Sequence, residues 1–449
     1  MRSIFAILSI SGIVLLAACG GGGGGGGGGQ PSVDANGSQP PPKTSNPDNQ
    51  FIQADSTAVF ESWPSGSGLP ETTWYRNGVV IPNERSSKLY FKASSSNNND
   101  NFYASVKTQY GTGRSTSAIL KIDTIRPLLP GTGILESQCY KKGSNNLVSC
   151  SSDVAIALNK TQDGMLRRGV GYSLVEKFDI SECVKDEITG LIWEGKKSDT
   201  NVFRGGRNIT YNDAVAYASA INELRLCGFS DWRIPDLNEL HTIVYYGRQK
   251  SLDKYWFPYV YDNTSYWTSS PGKSAYDYWT VGFVGGSGNS MSRSDNLSYV
   301  RLVRGVIADQ SQRYIVINDG NSVKDNLTGL EWRRCSEGQN WNGSNCTGVI
   351  LQFTHEQALE YASNIEQWRI PNIKELVSII PTERNSNVKN LLPAGVIYLF
   401  SGSESTYYWS STPQISEDNE AGAACSASSQ IFGCSYGRTK KNSLRLVKR

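Results

Sequence analysis

Nine cysteines and two histidines are the residues best equipped for chemistry in this 449-residue chain, and their numbers already narrow the choices. His241 and His355 cannot build a His-rich metal centre, and no cysteine pair stands as Cys-Xaa-Xaa-Cys, so zinc sites lack ligands. Apart from Cys19 the cysteines are eight, falling as Cys139/Cys150, Cys183/Cys227, Cys335/Cys346 and Cys425/Cys434. In an exported protein such an even set reads as four disulfides. Arg438, Lys440, Lys441, Arg445, Lys448 and Arg449 place six positive charges in twelve residues near the C-terminus. That cluster is a candidate for holding sulfate or carboxylate groups, for which the arginine fork is well shaped, although a solvated tail has the same composition. Tyr255, Trp256, Tyr259 and Tyr261 could stack on sugar rings or equally fill a core. For calcium there are only Asp262-Asn263 and the run Glu417-Asp418-Asn419-Glu420, a thin oxygen set, so no metal or other cofactor is expected.

Catalytic readings find little support. No nucleophile motif stands out, and the chain is expected not to be an enzyme. Glu239 and Glu375 sit three residues after Asp236 and Asn372, where a helix cap explains them better than a general base does. Arg233 and Arg369 lie between Trp and Ile and read as structural arginines. The net charge of +3 gives no reason to invoke nucleic acid.

These residues must be carried by several units, since 449 residues imply two to four domains. Residues 1–18 read as a signal peptide: Met1-Arg2-Ser3 is positive, and Ile4 to Leu16 is apolar but too short to span a bilayer. The stretch closes on Leu16-Ala17-Ala18-Cys19, which resembles a bacterial lipobox with Cys19 as the lipidated residue. Gly20 after that cysteine, in place of Asp, resembles the pattern sorted to the outer membrane. Ten glycines, Gly20 to Gly29, then open a Pro/Ser/Asn-rich stretch to residue 50 that cannot form a core. As a flexible tether it would have an r.m.s. span of roughly 30 Å. The expected location is therefore the outer membrane, held by lipid, with the side it faces left open.

Residues 51–125 alternate apolar and polar positions through about seven short runs, among them Thr57-Ala58-Val59-Phe60, Thr73-Trp74-Tyr75 and Tyr103-Ala104-Ser105-Val106. That predicts an all-β immunoglobulin-like sandwich. Trp74 would be the buried strand tryptophan, and the stretch 100–106 would carry a tyrosine corner. It has no cysteine, so burial around Trp74 must join the sheets unaided. A spacer role is the simpler reading for this segment.

From about residue 180 the chain repeats itself. Val184-Lys185-Asp186-Glu187-Ile188-Thr189-Gly190-Leu191-Ile192-Trp193 returns as Val323-Lys324-Asp325-Asn326-Leu327-Thr328-Gly329-Leu330-Glu331-Trp332. Thr210, Ala214, Tyr217-Ala218-Ser219 return as Thr354, Ala358, Tyr361-Ala362-Ser363. Trp232-Arg233-Ile234-Pro235 returns as Trp368-Arg369-Ile370-Pro371, Tyr266-Trp267 as Tyr408-Trp409, and Arg301-Leu302-Val303 as Arg445-Leu446-Val447. Five blocks in one order make a tandem of two homologous domains, expected at 126–305 and 306–449. Capped helices after Thr210, Thr354, Pro235 and Pro371, set among β-type blocks, predict two α+β domains.

These blocks together resemble the C-terminal domain of the collagen-like adhesin Lcl, over about 180–305 and 320–449, with 139–165 resembling a lead-in. More distantly they resemble C-type-lectin-like and formylglycine-generating folds. The resemblance implies a bacterial envelope protein; the founding member is a surface adhesin that binds sulfated glycosaminoglycans. Cys183 aligns with Ser322, and the second copy is eight residues shorter where the first has Cys227, so those two cysteines go together. Cys335/Cys346 and Cys425/Cys434 flank loops particular to the second copy, and Cys139/Cys150 are left to each other. The expected function is non-catalytic adhesion or glycan binding, with sulfated or acidic polysaccharide as a candidate. The alternative is a structural or assembly partner of another envelope protein. A formylglycine-type enzyme is third, and would need a cysteine that stays reactive.

Overall fold

A computed structural model of the chain describes residues 39–123, 129–166, 169–198, 204, 206–247, 252–260, 265–272, 274–283, 286–305, 313–380, 407–415, 421–428 and 431–449. Residues 1–18, Cys19, the glycine run, Tyr261, Asp262, Asn263 and Glu417 to Glu420 lie outside the described residues. Among the described residues no helix is long and apolar enough to cross a membrane.

The first unit is a β-sandwich. One sheet runs in the order Gln50–Gln53, Ala118–Asp123, Asn101–Thr108, Glu71–Arg76, Val79–Val80, with Gly111–Arg114 also on Asn101–Thr108. The opposing pair is Thr57–Glu61 with Lys88–Lys92. Alternation buries Phe102, Ala104 and Val106, and the first two join Phe60, Leu89 and the fully buried Trp74 in one cluster. Phe60 and Phe102 stack at 4.4 Å, and the Trp74 indole N–H donates to the Ser86 carbonyl at 2.8 Å, so its burial leaves no donor unpaired.

Two expectations for this unit are corrected. Order begins before residue 51: Lys43–Thr44 pairs antiparallel with Pro64–Ser65, because Pro and Ser at an edge still leave enough donors for a two-residue ladder. Tyr103 makes no inward corner. It stacks on Tyr75 at 4.7 Å under the Arg114 guanidinium, on the opposite side of the strand from Phe102 and Ala104. The corner is tied by Asp100 instead, which accepts from Arg76 at 2.7 Å and Asn77 at 2.6 Å.

Each repeat copy contains a four-stranded antiparallel sheet of identical order. In the first it is Tyr172–Leu174, Cys183–Asp186, Ile192–Glu194, Val303–Arg304; in the second, Tyr314–Ile317, Ser322–Asp325, Leu330–Arg333, Val447–Lys448. The Asp-Xaa-Xaa-Thr-Gly turn works alike in both. Asp186 Oδ1 accepts the Ile188 N–H and Asp325 Oδ1 the Leu327 N–H, and the closing Gly190 and Gly329 take φ of 75° and 69°. Trp193 and Trp332 enter the core from the next strand. Helices Tyr211–Glu223 and His355–Ser363 are capped by Thr210 and Thr354, and Leu237–Thr242 and Ile373–Ser378 by Asp236 and Asn372. Among the described residues the tandem is mostly antiparallel sheet, with two capped α-helices in each copy.

The copies are not separate beads. Strand Gly288–Arg293 of the first pairs with Ile431–Gly437 of the second (Gly288 with Phe432, Asn289 with Ile431), and this joins six further strands into one eight-stranded sheet. Gly288 is required at this seam, since a Cβ would come within 2.1 Å of the Phe432 ring. Phe432 stacks on Trp279 at 5.8 Å, and one apolar cluster runs through both copies. Lys374, fully buried, donates to the Gly131 and Thr242 carbonyls at 2.7 and 2.6 Å and so ties the second copy's helix to the first.

The lead-in stretch also departs from the expected boundaries. It precedes the first copy in sequence yet packs on the second. Tyr140 donates to the Ala423 carbonyl, Asn159 to the Leu359 carbonyl, and Thr412 to Asp163 at 2.6 Å.

Candidate functional site

All eight paired-cysteine expectations are met: Cys139–Cys150, Cys183–Cys227, Cys335–Cys346 and Cys425–Cys434 are disulfides. Among the described residues no group of three metal-ligating side chains occurs.

The C-terminal basic residues are dispersed by the fold. Arg445 is 1% exposed and donates to the Arg333 and Arg334 carbonyls and the Ser336 hydroxyl. Arg438, 7% exposed, lies over the Tyr140 ring and donates to Ser144 O and Asn145 Oδ1, so it clamps the lead-in rather than facing a ligand. Lys448 pairs with Glu331 at 3.1 Å and lies over Trp368. Lys440, Lys441 and Arg449 remain exposed. A count of charges carries no direction, and the turns after Gly437 and after Ser443 bury the Arg438 and Arg445 side chains.

The aromatic platform is likewise internal in part. Tyr255 and Trp256 are buried; Trp256 packs on Tyr90 and Tyr172, and the Tyr255 hydroxyl donates to Asp48 at 3.0 Å. Tyr259 is half-buried. Arg233 grips Glu239 through two bonds of 2.6 Å, Arg369 grips Glu375 through two of 2.7 Å, and both glutamates also close capping boxes. Burial holds His355 down at about 3 and His241 well below its usual range, so both rings are neutral at pH 7. His355 bonds the Ser410 carbonyl and His241 the Tyr246 hydroxyl.

A constellation that sequence reasoning missed lies under the first long helix of each copy. In the first copy, the fully buried Glu194 accepts from the Tyr217 hydroxyl, from Lys196 Nζ at 2.8 Å and from the Leu302 N–H at 3.0 Å. Arg301 braces it from below, donating to the Glu194 carbonyl at 2.6 Å. Burial pushes the Lys196 ammonium down to about 8, with the Glu194 charge opposing the shift. In the second copy the carboxylate has moved along the chain. Arg333 occupies the Glu194 position, and Glu337 accepts from Tyr361 at 2.9 Å and from Arg333. The tyrosine, the buried arginine and the ion pair persist while the order of the two charges along the chain is reversed. The repeated Tyr-Ala-Ser block was the available signal, but its acidic partner shifts position between copies and escapes alignment.

Above the first-copy constellation opens a cavity of about 300 Å³ lined by Lys196, Arg207, Ile209, Asp213, Ala216, Tyr217, Ala220 and Val300. Its walls come from the helix face carrying Ala216 and Ala220, a spacing of four that places two methyls side by side.

The repeated unit is that of a recognised family. The Lcl C-terminal domain matches residues 182–304 and again 321–448, more than half of the chain, and the chain belongs to that family. No curated protein matches. Among solved structures, the N-terminal four Ig domains of Dscam1 isoform 7.44 are similar at 19% identity over 19% of this chain and 22% of theirs, with a TM-score of 0.18. A chimeric titin Z1Z2 tandem gives 23% identity over 19% of this chain and 52% of its own, with a TM-score of 0.18. The N-terminal Ig1-2 module of the Drosophila receptor protein tyrosine phosphatase DLAR gives 16% over 19% and 48%, with a TM-score of 0.17. The chain thus spans about a fifth of the length of the first of these and about half of the other two.

Proposed function

We propose that this chain is a lipid-anchored outer-membrane protein whose twin C-terminal units form a non-catalytic adhesion module for glycans, with an immunoglobulin-like sandwich as spacer. The observation that carries this reading is the fusion of the two copies through one sheet and one core, each part of which is further closed by disulfides of its own. Such a body is a rigid platform, suited to presenting surfaces rather than to cycling through conformations. The cysteines that an oxidase-type reaction would need are all in disulfides among the described residues. The capped helices and twin antiparallel sheets fit a C-type-lectin-like unit, and the exposed Lys440 and Lys441 are the part of the basic cluster that faces acidic polymers. Heparin-column retention that falls with salt, together with loss of the domains on protease treatment of intact cells, is the expected result. No retention at low salt would defeat the sulfated-ligand version, and resistance to the protease would defeat a surface adhesin.

One observation favours a second reading, an assembly partner for another envelope protein. The strand Tyr314–Ile317, an edge of its sheet among the described residues, exposes Ile315 and Val316 at 46% and 43% and offers backbone groups that another chain's strand could join. A stoichiometric partner co-purifying from membranes and lost on Val316→Lys would support it.

A further inference from the structure

We propose that the cavity of the first copy, floored by Lys196 and walled by Ile209, Ala216, Ala220 and Val300, binds one neutral, hydroxyl-bearing sugar ring. The inference names a site and a ligand class within the glycan-binding reading above, and rests on that reading. Three observations carry it.

The first is a difference between the copies. Position by position, the wall residues Ile209, Ala216 and Ala220 correspond to Phe353, Glu360 and Asn364. In both copies the backbone is held alike, with the carbonyl of Ile209 or Phe353 accepting from the indole N–H of Trp267 or Trp409 at 2.9 or 2.8 Å. In the second copy the Phe353 ring lies 4.8 Å from that of Tyr361, over the equivalent tyrosine. The first copy has a smaller aliphatic side chain there and two alanines on the helix, and the 300 Å³ space stands above Tyr217. One scaffold therefore exists in a filled and an open form.

The second is the Lys196 ammonium. It is 4% exposed and lines the cavity, yet of its three donors two go to Glu194 and Tyr217, at 2.8 and 3.2 Å. The ammonium also lies 4.6 Å from the Tyr217 ring centroid, and an acceptor oxygen of a ligand in the cavity it lines would complete its hydrogen bonding. At the rim Asp213 takes one bond from the Thr210 hydroxyl on Oδ2 and supplies acceptor capacity with Oδ1.

The third is the character of the lining. Of its eight residues Ile209, Ala216, Ala220 and Val300 are aliphatic, and the buried Lys196 ammonium is already answered by the Glu194 carboxylate at 2.8 Å. A ring with an apolar C–H face and hydroxyls on its rim matches methyl-lined walls with a donor below and an acceptor above. The volume lies at the small end of ligand pockets, about 300–1,000 Å³, which suits a single ring.

The experiment is saturation-transfer NMR on the full chain with methyl glucoside, methyl galactoside, N-acetylglucosamine, glucuronate and heparin disaccharide. It is run on the wild type, on Ile209→Phe, which copies the filled form, and on Ala216→Glu, which sets the side-chain type of the second copy's Glu360 on the cavity wall at a solvent-exposed helix position. Transfer from at least one neutral sugar is expected, falling at least fivefold in both variants with the melting temperature unchanged. Either no transfer from any neutral sugar, or transfer that persists in both variants, overturns the site, and transfer from the charged sugars alone overturns the ligand class. Heparin-column retention that survives Ile209→Phe keeps the adhesion reading alive when the pocket fails, so the two stand or fall separately.

Discussion

Replacing Glu194 with Gln isolates what the buried ion pair contributes, and its cost can be bounded. Lys196 is held at about 8 in the native protein against about 10.4 for a free lysine, so at pH 7 folding already carries a desolvation penalty of about 3 kcal/mol. Without the carboxylate charge the ammonium can lose its proton, which limits the total proton penalty to about 4.6 kcal/mol at pH 7. The charge term of the substitution is thus only about 1.5 kcal/mol. Weakening the charge-assisted bonds from Tyr217 and Leu302 adds about 1.5–3 kcal/mol, for a total near 3–4 kcal/mol. Urea unfolding followed by tryptophan fluorescence measures it. Adding Lys196→Met should restore at least half of the loss, because the uncompensated cation goes with it. The pH dependence has a defined sign: the unfolded chain binds the extra proton between about pH 8 and 10.4, so wild-type stability gains from this lysine as pH rises through that window. The Lys196→Met background should lack that increment. A Glu194→Gln cost under about 1 kcal/mol, or a double variant no more stable than the single one, would refute the account.

Three further perturbations discriminate among the parts. Replacing Cys183 and Cys227 by serine opens a 44-residue separation and should cost about 4 kcal/mol in the first copy, read as an earlier unfolding step in calorimetry. Glu375→Ala should cost about 3–5 kcal/mol because it strands the buried Arg369, whereas Glu239→Ala, beside the more exposed Arg233, should cost about 1–2 kcal/mol; equal losses in urea unfolding would contradict the burial difference. Gly288→Ala sets a methyl against the Phe432 ring and should raise amide exchange in Gly288–Arg293 and Ile431–Gly437 together, while exchange confined to one strand would show that the seam is not shared.

What the sequence revealed follows how local the physics is. The tandem was legible because its turn, capping and tryptophan blocks are each set within about ten residues, and Cys183/Cys227 could be paired because the second copy lacks both. The shared sheet was not legible: Gly288 and Phe432 stand in unlike surroundings, and only the fold shows that one ring needs the space a missing Cβ leaves. The basic cluster misled because charge counts carry no direction, and Arg438 and Arg445 point into carbonyl-lined interiors. The buried constellation stayed hidden because its carboxylate sits on the strand in one copy and four residues beyond Arg333, at Glu337, in the other.

The lead-in's choice of partner sets an order of events during synthesis. Tyr140 meets Ala423 across 283 residues, Asp163 meets Thr412 across 249, and Asn159 meets Leu359 across 200. The second domain is thus discontinuous in the chain, with the whole first copy inserted between its two pieces. As the chain emerges N-terminus first, the segment 139–163 must wait for the entire first copy, and then for most of the second, before it finds its seat. Contacts this distant in sequence form late. The local Cys139–Cys150 bridge gives the waiting piece a closed shape of its own. Arrest or truncation of synthesis between the copies would leave a complete first unit trailing an unseated, disulfide-closed leader.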